Sequence, residues 1–76
     1  MKKEVLKINQ QIETILKIIN QKKENSNQKE KKELLELTII LLEYYNILNQ
    51  NLIERKTLNE IKDNIKEIHQ EIKKNP

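Results

Sequence analysis

Residues 5–19, which read VLKINQQIETILKII, decide the fold of this chain. Five branched residues in this stretch recur at spacings of three and four: Val5, Ile8, Ile12, Ile15 and Ile19. Such spacing has a period near 3.5 residues and places all five on one stripe of an α-helix. Residues 58–72, LNEIKDNIKEIHQEI, repeat the spacing without flanking apolar residues. Two apolar stripes on two helices predict an all-α protein whose helices pack stripe to stripe.

The stretch between these stripes is apolar on more than one face. Residues 34–48 read LLELTIILLEYYNIL, and nine of the twelve residues from 37 to 48 are aliphatic or tyrosine. A helix with one buried stripe needs only three or four apolar residues in every two turns. We therefore expect the middle helix to be covered from more than one side.

Polar segments set the helix boundaries. Residues 21–28 contain no apolar residue, and Asn27 stands three residues before Glu30, a variant of the capping box that starts helices. We predict one domain, 1–76, with helices at about 3–24, 28–51 and 57–74 and a turn at 24–28. Heptad spacing is the repeat that organises the chain.

The link between the second and third helices allows two architectures, because residues 49–57 contain neither glycine nor proline. In the first, Thr57 caps a new helix and Glu60 completes a capping box, which gives an antiparallel up-down-up three-helix bundle. In the second, the two helices are continuous, and the resulting helical hairpin dimerises as a coiled coil. We favour the bundle because a continuous helix would leave the seam of residues 58–72 without a partner in the same chain, as the first helix is long enough to cover only half of it.

Composition argues against several classes of protein. The chain has no cysteine, which leaves no disulfide or thiolate site and is typical of a cytoplasmic protein. It has no glycine, so a glycine-rich phosphate loop is not expected. Charges at Lys2, Lys3, Glu4 and Lys7 interrupt any signal peptide, and the most apolar stretch is too polar for a membrane span. Abundant lysine, isoleucine and asparagine are typical of an AT-rich genome.

Chemically versatile side chains are few. His69 is the single histidine and has Lys66, not an acid, three residues before it, so the Glu-x-x-His pattern of di-metal bundles is missing. Ser26 lies in the turn without a neighbouring base to activate it. Glu36 and Glu43 share a helix face that we interpret as solvated. We predict no catalytic, cofactor-binding or metal-binding residue, no cofactor, and a non-enzymatic protein.

Surplus apolar surface on the middle helix predicts a protein–protein interaction protein. The partner is a second copy, most simply a dimer, or a larger protein; small inhibitors, antitoxins and immunity proteins fit this description. The two tyrosines are the chain's only aromatic residues, and tyrosine is enriched where proteins bind one another. The predicted partner-binding residues are Ile39, Leu42, Tyr44, Tyr45 and Leu48.

A lysine-rich end of the bundle supports an alternative function, nucleic-acid binding. Fourteen of the fifteen basic residues are lysine, and five of them surround the first turn as candidate anion-binding residues: Lys22, Lys23, Lys29, Lys31 and Lys32. In an up-down-up bundle Lys73 and Lys74 reach the same end. Arginine forks and stacking aromatics, which commonly hold phosphates and bases, are missing from this segment.

Overall fold

A computed structural model of the protein describes residues 2–50 and 52–74. Three helices make up the fold: α1 (Lys2–Lys23), α2 (Gln28–Leu48) and α3 (Arg55–Lys74). A continuous helix of about 45 residues would be roughly 68 Å long at 1.5 Å per residue, whereas the longest dimension of the molecule is 39 Å. The prediction of three separate helices is confirmed, and the described residues contain no strand.

Helix α1 is the centre of the bundle because both other helices pack along it. Helices α2 and α3 approach each other far less closely than either approaches α1. The predicted seams of α1 and α3 supply most of the core, and residues spaced by seven supply the α2 part. The buried residues are Ile8, Ile12, Ile15, Ile19, Leu34, Leu41, Leu48, Leu58, Ile61, Ile65 and Ile72.

The turn between α1 and α2 has the predicted cap. Asn27 has extended backbone angles, and its Oδ1 accepts a hydrogen bond of 2.9 Å from the backbone N–H of Glu30. This bond satisfies one of the N–H groups that a helix start leaves without a partner. The Oγ of Ser26 donates to the carbonyl of Lys22, so this serine closes the end of α1.

The link between α2 and α3 differs from the prediction at both ends. Helix α2 ends at Leu48 rather than 51, because the α-helical bonding stops after Asn49: the N–H of Gln50 donates to the carbonyl of Ile47, three residues back, at 3.2 Å. The Nδ2 of Asn49 also donates to the carbonyl of Tyr45 at 2.7 Å. Helix α3 starts at Arg55, since the N–H of Leu58 donates to the carbonyl of Glu54 at 3.0 Å. Thr57 therefore lies in the first turn, and its prediction as the cap is wrong. Asn51, which we placed at the end of the second helix, lies outside the described residues.

Polar contacts hold α3 in place at three levels. Arg55 Nη1 lies 2.6 Å from Glu4 Oε2 at one end of the bundle, and Lys22 Nζ donates to the Ile72 carbonyl at 2.8 Å at the other. Asn64 Nδ2 donates to the Tyr44 hydroxyl at 3.1 Å, which links α3 to α2. The hydrogen bond from Arg55 lowers the pKa of Glu4 below its ordinary value.

Candidate interaction surfaces

Apolar side chains remain exposed along one side of α2. Of the seven large hydrophobic residues that the described part of the chain leaves exposed, five lie on this helix. Four of them are 40–50% exposed and follow one another at spacings of four, three and three. We call these residues the outer stripe: Leu35, Ile39, Leu42 and Tyr45. The fifth, Ile40, is 37% exposed and lies about 100° around the helix from Ile39. The outer stripe turns away from the buried seam of Leu34, Leu41 and Leu48.

The outer stripe is flanked by two different surroundings. Lys31 and Thr38, spaced by seven, lie on the side toward α1: Lys31 lines a cleft together with Lys23 of α1 and Leu35 of the stripe, and Thr38 is half-buried. The opposite side is open and carries charge at the same spacing, with Lys29 followed by Glu36 and Glu43, all exposed. One edge of the stripe is therefore formed by the bundle and the other faces solvent.

The predicted partner-binding residues divide into two groups. Ile39, Leu42 and Tyr45 belong to the outer stripe, but Leu48 is only 3% exposed and packs in the core. Tyr44 is half-buried and bonded to Asn64. Neither forms part of the outer stripe, because Leu48 belongs to the buried seam with Leu34 and Leu41 and Tyr44 faces α3.

Leu35 is the residue of the outer stripe that sequence reasoning missed. It is 49% exposed and lies four residues before Ile39. Its neighbour Leu34 is buried, and the two leucines look alike in the sequence. Leu34 begins a run of three-four spacings just as Leu35 does, so the sequence carries no signal that separates the two.

A second, smaller apolar area lies where the start of α1 meets the end of α2. Leu6 is 61% exposed there, and Leu52 in the link between α2 and α3 is 91% exposed. Both line an open cleft with half-buried Val5 and Ile53. The Oδ1 of Asn9 in this cleft is buried and has no hydrogen-bond partner. These two leucines, one in α1 and one in the link, form a smaller apolar surface than the four residues of the outer stripe.

Basic side chains gather at the end of the bundle that holds the first turn. The bond from Lys22 to the Ile72 carbonyl brings the end of α3 to this end, which we call the basic pole: Lys22, Lys23, Lys29, Lys31, Lys32, Lys73 and Lys74. Lys23, Lys31 and Lys32 line one shallow cleft, but Glu24 lines it as well. The opposite end carries basic residues too, at Lys2, Lys3, Lys7, Arg55 and Lys56.

Ionisable groups do not form a metal centre in the part of the chain that the structure describes. Within residues 2–50 and 52–74, no three His, Asp or Glu side chains are grouped closely enough to hold a metal ion. His69 is half-buried beside the α3 seam, next to Ile68.

No helix in the described ranges is both long enough and apolar enough to cross a membrane. Comparison of the chain with protein-family models, with curated proteins and with solved structures finds no match.

Proposed function

We propose that this protein functions as a non-enzymatic interaction module that binds another protein chain through the outer stripe of α2. The observation that carries the proposal is the position of Leu35, Ile39 and Leu42 on one line of a helix, each about half exposed. Helices that dock in grooves use this i, i+4, i+7 arrangement of apolar anchors. A partner helix or groove would remove all three side chains from water together.

The distribution of apolar residues supports a binding surface over chance exposure. Single exposed leucines are ordinary on protein surfaces, but large contiguous apolar patches on small domains are usually contact sites. Here the exposure concentrates on α2, while every aliphatic residue of α3 is buried or half-buried. Tyr45 adds an aromatic ring with a polar tip at the end of the stripe, which suits an interface.

The test is the sedimentation of a fluorescently labelled chain, alone in buffer and in a lysate of its source cell. We expect the wild-type chain to sediment faster than a 9.2 kDa monomer in at least one of the two. Leu35→Asp and Ile39→Asp should remove that faster species and leave helical circular dichroism largely unchanged, because both side chains are already 49–50% exposed.

Leu52→Asp is the matched control, because it introduces the same charge at an exposed leucine outside α2. It should sediment like the wild type. A wild-type chain that stays monomeric in both media would contradict the proposed function. A faster species that Ile39→Asp leaves intact would also contradict it.

One observation supports the alternative function, nucleic-acid binding at the basic pole. The bond from Lys22 to the Ile72 carbonyl brings the end of α3, with Lys73 and Lys74, to this pole. A polyanion such as nucleic acid would bind there by counterion release, with affinity that falls steeply as salt rises. We rank it second because Glu24 lies in the cleft and the opposite end of the bundle is basic as well.

Gel-shift assays at low salt test this alternative. Neutralising Lys23, Lys31 and Lys32 together should abolish a shift that depends on the basic pole, whereas neutralising Lys2, Lys3 and Lys7 should not. Absence of any shift at low salt would contradict nucleic-acid binding. For either function we expect a cytoplasmic protein, on the basis of its cysteine-free composition.

A further inference from the structure

We propose that the occupant of the outer stripe is a second copy of this chain, with the two α2 helices packed antiparallel about a twofold axis. The inference rests on the proposed function, since it names the partner of the same surface. A twofold interface requires a surface that is complementary to itself. The pattern of α2 meets that requirement in its apolar centre and in its charges.

The apolar centre is part of a longer line with four-three spacing on the exposed side of α2. The line has polar residues at both ends and apolar residues only in the middle: Gln28, Lys32, Leu35, Ile39, Leu42, Asn46 and Asn49. Seams with this spacing pack knobs into holes against a partner helix. Antiparallel pairing centred near residue 37 sets Leu35 against Ile39 of the second copy, and Leu42 against Lys32 of the second copy, each twice by symmetry.

Charges on the open flank fit the same register. Lys29 lies near the start of α2, and Glu43 lies on the same line near its end. When the two helices run antiparallel about residue 37, each Lys29 comes opposite Glu43 of the second copy. Flanking pairs of opposite charge are what sets orientation and register in packed helices. Two such pairs form in one dimer.

Other arrangements are less complementary. Parallel pairing would place Lys32 against Lys32 of the second copy within the seam. It would also bring Lys31 near Glu36 of the second copy on the flank, but the attraction of that exposed pair would not offset the repulsion between the two lysines. Antiparallel pairing shifted by one heptad toward the end of α2 would set Glu36 against Glu43. Like charges directly opposite one another destabilise a pair of helices. The register centred near residue 37 leaves one like-charge contact, between the two Glu36 side chains.

Surface area favours the antiparallel arrangement as well. A stable interface of standard size buries about 800 Å² per partner, which is roughly an eighth of the 6031 Å² surface of this chain. The flank of Lys31 and Thr38 turns toward α1 in each copy. In the antiparallel pair both of these flanks lie on the same side, so the two α1 helices approach each other and extend the contact beyond α2. Parallel pairing would put them on opposite sides.

Charge reversal tests the register in solution. The single variants Lys29→Glu and Glu43→Lys should each raise the dimer dissociation constant roughly five- to tenfold, because two exposed ion pairs become like-charge pairs. The double variant should return to within about twofold of the wild type, since both pairs re-form with reversed sign. Sedimentation at several concentrations in buffer measures the dimer dissociation constants of the wild type, the two single variants and the double variant.

Folding does not confound this experiment. Both side chains are exposed, and Lys29→Glu places an acid in the first turn of α2, where the helix dipole favours it. Circular dichroism should therefore be unchanged. Lys66→Glu on α3 is the matched control and should leave the dissociation constant unaltered. Glu36→Gln should tighten the dimer, because it removes the like-charge contact at the axis.

The outcomes separate this inference from the proposed function. A wild-type chain that is monomeric in buffer at every concentration overturns the second copy as occupant. If the chain still forms a stripe-dependent species in lysate, the proposed function stands. A dimer that Ile39→Asp disrupts, but in which the double charge reversal restores nothing, overturns the antiparallel register. The register is supported if each single variant weakens the dimer and the double variant returns the dissociation constant to near the wild-type value.

Discussion

Helices α2 and α3 have nearly equal lengths, but α3 buries most of its few apolar residues whereas α2 buries only a minority of its many. In α3 the five aliphatic residues all lie on one seam, and four of them are buried. In α2 the aliphatic residues and tyrosines surround the helix, yet only Leu34, Leu41 and Leu48 are buried. The bundle therefore uses all of the apolar surface of α3 and only part of that of α2. The apolar surface left on α2 is where we place its partner.

The largest expected difference is between the inner and outer residues of α2. Leu41→Ala removes a fully buried side chain and should destabilise the fold by about 2–5 kcal/mol. Leu42→Ala, at a half-exposed neighbour, should cost less than about 1 kcal/mol in the monomer. Chemical denaturation at low protein concentration measures both. Equal effects would contradict the division of α2 into a buried and an exposed face.

The core of α3 should respond like the inner face of α2. Ile65 is fully buried in the α3 seam, so Ile65→Ala should also lower the free energy of unfolding by about 2–5 kcal/mol. The same denaturation experiment, with exposed Lys66→Ala as its control, measures the loss. A loss below that of Leu42→Ala would show that α3 is not part of one cooperative core.

The starts of the two helices should differ by a smaller amount. Asn27→Ala removes the bond to the Glu30 N–H and should cost about 1 kcal/mol, because that N–H loses its partner. Thr57→Ala should cost less, since Thr57 lies inside α3 rather than at its cap. Thermal unfolding of both variants compares them. A larger loss for Thr57→Ala would restore Thr57 as the structural start of α3.

The contact between α2 and α3 should contribute less again. Tyr44→Phe removes the acceptor for Asn64 Nδ2 at an exposed edge, and we expect a loss of about 0.5 kcal/mol. Combining it with Asn64→Ala in a double-mutant cycle isolates the bond. Fully additive losses would mean that the bond does not stabilise the bundle.

The ion pair between Glu4 and Arg55 should have the smallest effect, and one that depends on pH. Because the pKa of Glu4 is lowered in the fold, its stabilisation is present above the unfolded pKa and is lost as pH falls through the folded pKa. Glu4→Gln should slightly lower the melting temperature at neutral pH and low salt. The difference from the wild type should disappear in acid and at high salt. A difference that persists in acid would exclude the ion pair as its source.

Much of the fold was predictable because its signals are local. The three-four spacing of α1 and α3 gave their seams, and Asn27 with Glu30 marked the start of α2 correctly. The α2–α3 link was less predictable, because Asn49, Asn51 and Thr57 are each plausible ends or starts on propensity alone. The α-helical bonding stops after Asn49, whose Nδ2 donates to the Tyr45 carbonyl while the next N–H, that of Gln50, donates to the carbonyl of Ile47; no spacing rule specifies this end.

The sequence by itself determined that this chain is helical, which faces of α1 and α3 are buried, and that α2 is richer in apolar residues than its neighbours. Only the tertiary structure decided which side of α2 the bundle covers. Leu34 and Leu35, or Leu41 and Leu42, have the same side chains, so neither propensity nor hydrophobicity separates them. The direction from which α1 approaches α2 does separate them: it buries Leu34 and Leu41, and it leaves Leu35 and Leu42 about half exposed.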